Sequence, residues 1–150
     1  MRLGELLNMR SSWIDFTQNI IITKNSNTFT TKSKKERIIP IHPKVLSILQ
    51  KLKKTQPLLT LEDDFIFSHN QNIKFNEDFI SKQFKKAVRA AKQNDQIHLH
   101  TLRHSFASNL VQKGASLYVV KELLGHEDIK TTQIYSHLTQ SSLSSAIYLL

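Results

Sequence analysis

The chain of 150 residues contains no cysteine, only three glycines and only three prolines. Without cysteine there is no disulfide, no thiol nucleophile and no cysteine-based zinc site, and this composition fits a reducing cytoplasm. The scarcity of glycine and proline, with a hydrophobic fraction of 39%, favours a compact, helix-rich globule over disorder. No apolar run approaches a membrane span, and the N-terminus lacks a signal-peptide pattern. We therefore expect one cytoplasmic domain with a core of its own.

Acidic residues are in the minority. The chain has 21 Lys and Arg against 12 Asp and Glu, which gives a formal net charge of +9. On a small domain this surplus favours an anionic partner, with nucleic acid ahead of a membrane surface. Charge alone leaves open a basic protein without such a partner.

The first third of the chain predicts a short helix followed by a small sheet. The segment MRLGELLNMR places Leu3, Leu6 and Leu7 on one helical face, but no capping residue precedes it, which suggests a fragment that begins inside a domain. The next segment is rich in β-branched residues and is broken twice by turn-forming residues. We predict three antiparallel strands, near 17–24, 27–32 and 36–41.

Beyond the predicted sheet the apolar pattern is mainly helical. Residues 55–76 are predicted to be loop, apart from a brief strand at 65–68. The predicted helices span 44–54, 76–94, 101–113, 117–124 and 131–138, with a last turn or two in the tail, 141–150. The inward side chains predicted for the first of these are Val45, Leu46, Leu49 and Leu52.

The segment HLHTLRHSF groups three histidines around one arginine. His100 and Arg103 are three residues apart and project to the same side at a helix start. A capping histidine with a salt-bridging arginine is one interpretation. Zinc is another, because His100 and His104 have i, i+4 spacing and His98 is near. However, no HExxH motif or acidic ligand accompanies them and the neighbours are cationic, so we expect no metal.

Three further segments carry charged or polar residues that are candidates for the same site. Arg2 and Glu5 form an Arg-x-x-Glu, TKSKKERIIPI presents Lys32 before a turn, and LGHEDIKTTQIYSH supplies His126 and Tyr135. Together with HTLRHSFASNLVQKGASLYVVKELLGH, these segments resemble the catalytic domain of the tyrosine recombinases, the family of phage integrases and Xer-type recombinases. The resemblance covers nearly the whole chain, and its most specific part is the His-x-x-Arg to Gly-His to Tyr order.

The resemblance implies a fold and a domain organisation. The expected fold is α+β and mainly helical, a tyrosine-recombinase catalytic-domain-like bundle with a small three-stranded antiparallel sheet near the N-terminus. Residues 1–150 are then a catalytic domain truncated at its N-terminus. The N-terminal core-binding domain of the family is expected to be absent.

The resemblance also implies a set of site residues and their chemistry. Tyr135 would be the nucleophile, with His100 as a candidate acceptor of its proton. Lys32 would protonate the departing 5′ oxygen, and no cofactor is expected because cationic donors surround the phosphate. The implied catalytic set is Arg2, Lys32, His100, Arg103, His126 and Tyr135, with Glu5 supporting Arg2.

Double-stranded DNA is the implied partner, together with other recombinase protomers assembled on it. The basic side chains of the hairpin and of the helix 76–94 are candidate DNA contacts, although a basic face is more often simply solvated. The apolar tail, 141–150, either folds back on its own domain or, as the resemblance implies, docks into a neighbouring protomer. The candidate DNA contacts are Lys34, Lys35, Arg37, Lys82, Lys85, Lys86 and Arg89.

The predicted function is site-specific recombination or integration, by metal-independent DNA cleavage and rejoining through a 3′-phosphotyrosyl intermediate. The alternative is a non-catalytic DNA-binding fragment or truncated remnant of such a recombinase. A metal-dependent nuclease would need clustered carboxylates, and the acids here are scattered apart from 62–64 in a predicted loop.

Overall fold

A computed structural model describes residues 1–25, 29–31, 35–55, 64–69 and 73–139. Within these ranges the chain forms six α-helices and five short strands. The helices are α1 (Leu3–Leu7), α2 (Pro43–Thr55), α3 (Glu77–Ala90), α4 (Leu99–Gln112), α5 (Leu117–Leu124) and α6 (Lys130–Gln133). The strands are β1 (Ile14–Asp15), β2 (Ile20–Thr23), β3 (Arg37–Pro40), β4 (Ser68–His69) and β5 (Ile73–Lys74). No helix of the described part has the length and apolarity that crossing a membrane requires.

The predicted three-stranded antiparallel sheet is present, in the order β1-β2-β3. Ile21 at its centre pairs with Ile14 on one side and Ile39 on the other. The strand β1 was not predicted. A tight turn joins it to β2, because the Asp15 carboxylate accepts hydrogen bonds from the backbone N–H groups of Thr17 and Gln18.

The strand predicted at 27–32 is not part of this sheet in its described residues, 29–31, although Phe29 lies in a β-bridge. The segment has strand-like composition, but side-chain hydrogen bonds hold it differently. The Thr31 N–H donates to Asn25 Oδ1, and the Thr31 hydroxyl donates to the Lys35 carbonyl. These bonds occupy groups that a strand would use for pairing. Residues 26–28 and 32 lie outside the described part.

Two hydrophobic clusters form the core. The first packs the sheet and α2 around Trp13, Met9 and Ile66. Leu49 of α2 is buried in it, whereas Val45 is 45% exposed, contrary to our prediction. The inward stripe follows i, i+3 spacing through Leu46 and Leu49, and Val45 is about 100° away around the helix.

The second cluster joins α4, α5 and the turn after α6, and it contains Tyr135. Helix α5 has the predicted bounds, with the Ser116 side chain as its N-terminal cap. Helix α4 starts two residues earlier than predicted, because the His98 N–H donates to the Thr101 hydroxyl. The predicted helix 131–138 is instead α6 and a 3₁₀ turn, Ser136–Thr139, and Tyr135 lies in the break between them.

Candidate active site

The site is built around the turn that ends α5. Gly125 has φ of +68°, a left-handed conformation that glycine adopts without steric cost, and its N–H donates to the Lys121 and Glu122 carbonyls. Two arginines bind the carbonyl groups of this turn. Arg103 Nη2 donates to Leu124 O at 2.7 Å, and Arg2 Nη2 donates to Gly125 O at 3.1 Å. The start of α1 and the start of α4 are thereby held side by side.

Arg103 is a buried cation with one unused hydrogen-bond donor group. Its residue is 8% exposed, and Nη1 has no hydrogen-bond partner among the described residues. Burial, and then the charge of Arg2, lower its pKa to about 10, so the guanidinium stays protonated at neutral pH. A buried unpaired donor on a cation is costly without an anion. This arrangement suits binding of a phosphate.

Glu5 connects both ends of the site to the sheet. Its carboxylate accepts from Arg2 Nη1 at 3.3 Å and from the Arg2 N–H at 2.7 Å. It also accepts two hydrogen bonds from Arg37 of β3, at 3.0 and 2.6 Å. Burial alone would raise the pKa of Glu5, but the hydrogen bonds from Arg37 and Arg2 outweigh it and lower the pKa.

Arg37 was inferred from the sequence to contact DNA. Its side chain is 10% exposed and makes a two-point ion pair with Glu5, 32 residues away. This geometry favours a supporting role, because the guanidinium is already occupied inside the domain. The sequence shows Glu5 and Arg37 only as two opposite charges, and no pattern in it indicates that they form an ion pair.

His126 follows Gly125 directly and is fixed by a buried hydroxyl. Its Nδ1 lies 2.9 Å from the Thr132 Oγ1, and Thr132 is fully buried. Burial, followed by the charges of Arg103 and Arg2, lowers the pKa of His126 to about 4. The ring is therefore neutral at physiological pH. Thr132 had no role in the sequence interpretation.

Tyr135 lies in the second core cluster and is only 5% exposed. Its Oη lies 2.6 Å from His104 Nδ1. Burial raises the pKa of the phenol, and the Arg103 charge opposes that effect. From the sequence His104 is a candidate only for a zinc site, although its position next to Arg103 is a signal that it belongs to the active site.

His100 lies on the first turn of α4, on the exposed side of the site. Burial, followed by the charges of His104 and Arg103, lowers its pKa. Its ring meets the His104 ring edge-on, with 5.1 Å between centroids. Within the ranges that the structure describes, no group of three His, Asp or Glu side chains has an arrangement able to bind a metal ion.

The candidate DNA contacts divide into three groups. Lys34, like the predicted catalytic residue Lys32, lies outside the described residues, and Lys35 next to it is exposed. On α3, Lys82 and Lys86 are exposed beside an open depression of about 430 Å³. Two further side chains of α3 make internal contacts: Lys85 donates to the Asp95 carbonyl, and Arg89 pairs with the Asp95 carboxylate.

Comparisons with known proteins identify the family to which the chain belongs. The model of the phage integrase family matches residues 1–142. A tyrosine recombinase of Thermosipho africanus is 32% identical over 148 residues, which cover 98% of this chain and 48% of that protein. The tyrosine recombinase XerD of Listeria monocytogenes is 35% identical over 147 residues, with 95% and 48% covered. The chain spans about half the length of these curated relatives.

Solved structures show the same fold. The XerH site-specific recombinase bound to a palindromic difH substrate, in a post-cleavage complex, superposes with a TM-score of 0.77 at 26% identity over 98% of this chain and 41% of that one. The catalytic domain of bacteriophage HP1 integrase gives a TM-score of 0.64 at 25% identity, with 99% and 73% covered. The fold is that of tyrosine recombinase catalytic domains, and the chain belongs to the phage integrase family of tyrosine recombinases.

Proposed function

We propose that residues 1–150 are the catalytic domain of a site-specific DNA recombinase that cleaves and rejoins DNA through a 3′-phosphotyrosyl intermediate. One observation carries this proposal. Arg103 and Arg2 donate hydrogen bonds to two consecutive carbonyl groups, those of Leu124 and Gly125, and Tyr135 lies in the same core cluster as Leu124. A phosphate with a nucleophilic phenol next to it is the substrate that these groups fit. The relatives that are named as tyrosine recombinases support the same reaction.

In the proposed reaction Tyr135 Oη attacks the phosphorus, and the bond from phosphorus to the 5′ oxygen breaks. Arg2 and Arg103 bind the non-bridging oxygens, on which negative charge increases in the transition state. His126 donates a further hydrogen bond from Nε2, with its Nδ1 held by Thr132. Lys32 supplies the proton that the departing 5′ oxygen needs. These donors supply the charge stabilisation, so the proposed reaction is independent of a metal.

The proposed partner is duplex DNA, contacted by the lysines of the hairpin and by the exposed lysines of α3. The XerH structure is of a recombinase bound to its DNA substrate. Helix α3 contacts α1, which carries Arg2 into the site, so a duplex at the site would also lie near Lys82 and Lys86. We further propose that the domain acts in the cytoplasm and that residues 141–150, outside the described part, link protomers on DNA.

The test is capture of the covalent adduct. The protein is incubated with nicked duplexes of randomised sequence, quenched in SDS, and the attached peptide is mapped by mass spectrometry. We expect the adduct on Tyr135, no adduct from Tyr135→Phe, and an undiminished adduct from Tyr118→Phe, which removes an exposed phenol. Arg103→Ala should slow cleavage by roughly 10²–10³. EDTA should have no effect.

Three results would contradict the proposal. An adduct on another residue would give Tyr135 a different role, and inhibition by EDTA would show that a metal takes part. DNA binding without any adduct would favour the alternative, a non-catalytic DNA-binding fragment.

A further inference from the structure

The hydrogen bond of Tyr135 identifies a group with which the nucleophile can exchange its proton. The Oη atom contacts His104 Nδ1 at 2.6 Å, a short distance for a hydrogen bond between a hydroxyl and a ring nitrogen. His104 is on α4, one residue after Arg103, and the two rings have centroids 6.0 Å apart. The contact joins residues 31 positions apart, so the fold of the second core cluster sets it.

The attacking phenol needs a group that takes its proton. Tyr135 is 5% exposed, and its hydroxyl is already hydrogen-bonded to a ring nitrogen, which is therefore well placed to be the acceptor. The phenol is also hard to ionise in advance, because burial raises its pKa. Loss of the proton must therefore accompany the attack on phosphorus, and a base already in contact with Oη meets that requirement.

We infer that His104 is the general base that accepts the Tyr135 proton during DNA cleavage, an inference that rests on the proposed function. This role requires Nδ1 of His104 to accept the Tyr135 hydrogen bond, with the ring hydrogen on Nε2. In the step, the Oη–H bond breaks, Oη bonds to phosphorus, the proton moves to Nδ1, and the phosphorus bond to the 5′ oxygen breaks. The 5′ oxygen takes its proton from Lys32. In rejoining, the His104 imidazolium returns its proton to the tyrosine.

His100, the proton acceptor that the resemblance implies, contacts the His104 ring with 5.1 Å between centroids, whereas the hydrogen bond of Tyr135 Oη is to His104. Four charged or titratable groups act on the His100 and His104 rings from the elements around them. Arg103 is on α4 and His98 caps its N-terminus, whereas Arg2 and His126 approach from other elements.

The test separates basicity from positioning. His104→Asn places an amide near the Nδ1 position, so it can keep a hydrogen bond to Tyr135 but cannot take its proton. We expect the variant to form the adduct about 10²–10³-fold more slowly, within the range of general base catalysis. Replacement of Tyr135 by 2,3-difluorotyrosine lowers the pKa of the phenol and so reduces the need for a base. The difluorotyrosine should narrow the gap between His104→Asn and wild type, and should leave the defect of Arg103→Ala unchanged.

Each result bears on the inference. Cleavage by His104→Asn within a few fold of wild type, or faster, would overturn it, and so would a defect that difluorotyrosine leaves unchanged. Nitrogen-15 NMR of the uncleaved protein gives a test that needs no adduct. His104 must be the Nε2–H tautomer, and an Nδ1–H tautomer would overturn the inference even in an active protein. Failure of the wild type to form any adduct would instead refute the proposed function.

Discussion

Gly125→Ala would test whether the turn at the end of α5 is packed against the ion pair that connects the site to the sheet. Gly125 has φ of +68°, and a Cβ added there would lie 2.6 Å from Arg37 Nη1 and 2.8 Å from its Cζ. Gly114 ends α4 with φ of +88° and has no atom within 4 Å of such a Cβ. Gly114→Ala is therefore a matched control, because it brings the backbone strain without the collision.

The two substitutions should differ by the energy needed to move Arg37. A non-glycine residue in the left-handed region costs about 1–2 kcal/mol, and this applies to both positions. At Gly125 the methyl group must also displace a guanidinium that makes two hydrogen bonds to the buried Glu5. Loss of a hydrogen bond to a charged group costs about 1.5–3 kcal/mol. The expected free-energy loss is about 1–2 kcal/mol for Gly114→Ala and about 2.5–5 kcal/mol for Gly125→Ala.

Urea unfolding at neutral pH measures these values, and a double-mutant cycle tests their origin. In an Arg37→Ala background the collision is removed, so the cost of Gly125→Ala should fall to that of Gly114→Ala. Equal losses for the two glycine variants in the wild-type background would refute the reasoning. Such a result would mean that Arg37 moves aside without weakening its hydrogen bonds to Glu5.

The remaining predictions concern charge and pH. Glu5→Gln should destabilise the fold at neutral pH. Because the folded-state pKa of Glu5 is below its usual 4.5, the stability that its carboxylate contributes is complete above pH 4.5 and is lost as the pH falls through the folded value. The urea midpoints of variant and wild type should therefore converge in acid. NMR titration of the folded protein should give His126 a midpoint of about 4. Since the ring protonates near 6.5 in the unfolded chain, this group should reduce the stability of the fold as the pH falls from 6.5 towards 4. A folded midpoint near 6.5 would contradict the effect of burial and of the arginine charges on this ring. Lys86→Glu should weaken duplex binding measured by fluorescence anisotropy and flatten its salt dependence by about one unit of slope or more, whereas Lys54→Glu on α2, with the same charge change, should have little effect; equal effects would remove α3 from the interface.

Short-range features of the structure could be predicted from the sequence. Ser116 and Gly125 bracket α5 by local capping, and its bounds were predicted correctly because a cap needs only neighbouring residues. The three-stranded sheet and the family were likewise predicted, the latter because the order His-x-x-Arg, Gly-His, Tyr is specific. The strand assignment failed where Asn25 and Thr31 make side-chain hydrogen bonds that composition does not show.

The contacts that make these residues a site depend on tertiary structure. Glu5 and Arg37 are 32 residues apart, and His104 and Tyr135 are 31 apart. Neither pairing follows from periodicity or capping, which act over one or two turns. The sequence by itself determined which chemical groups are present and in what order along the chain. Only the packing of α1, α4, α5 and β3 decided that Glu5 binds two arginines and that Tyr135 is hydrogen-bonded to His104. Those contacts join residues far apart in the sequence, so they exist only in the folded chain.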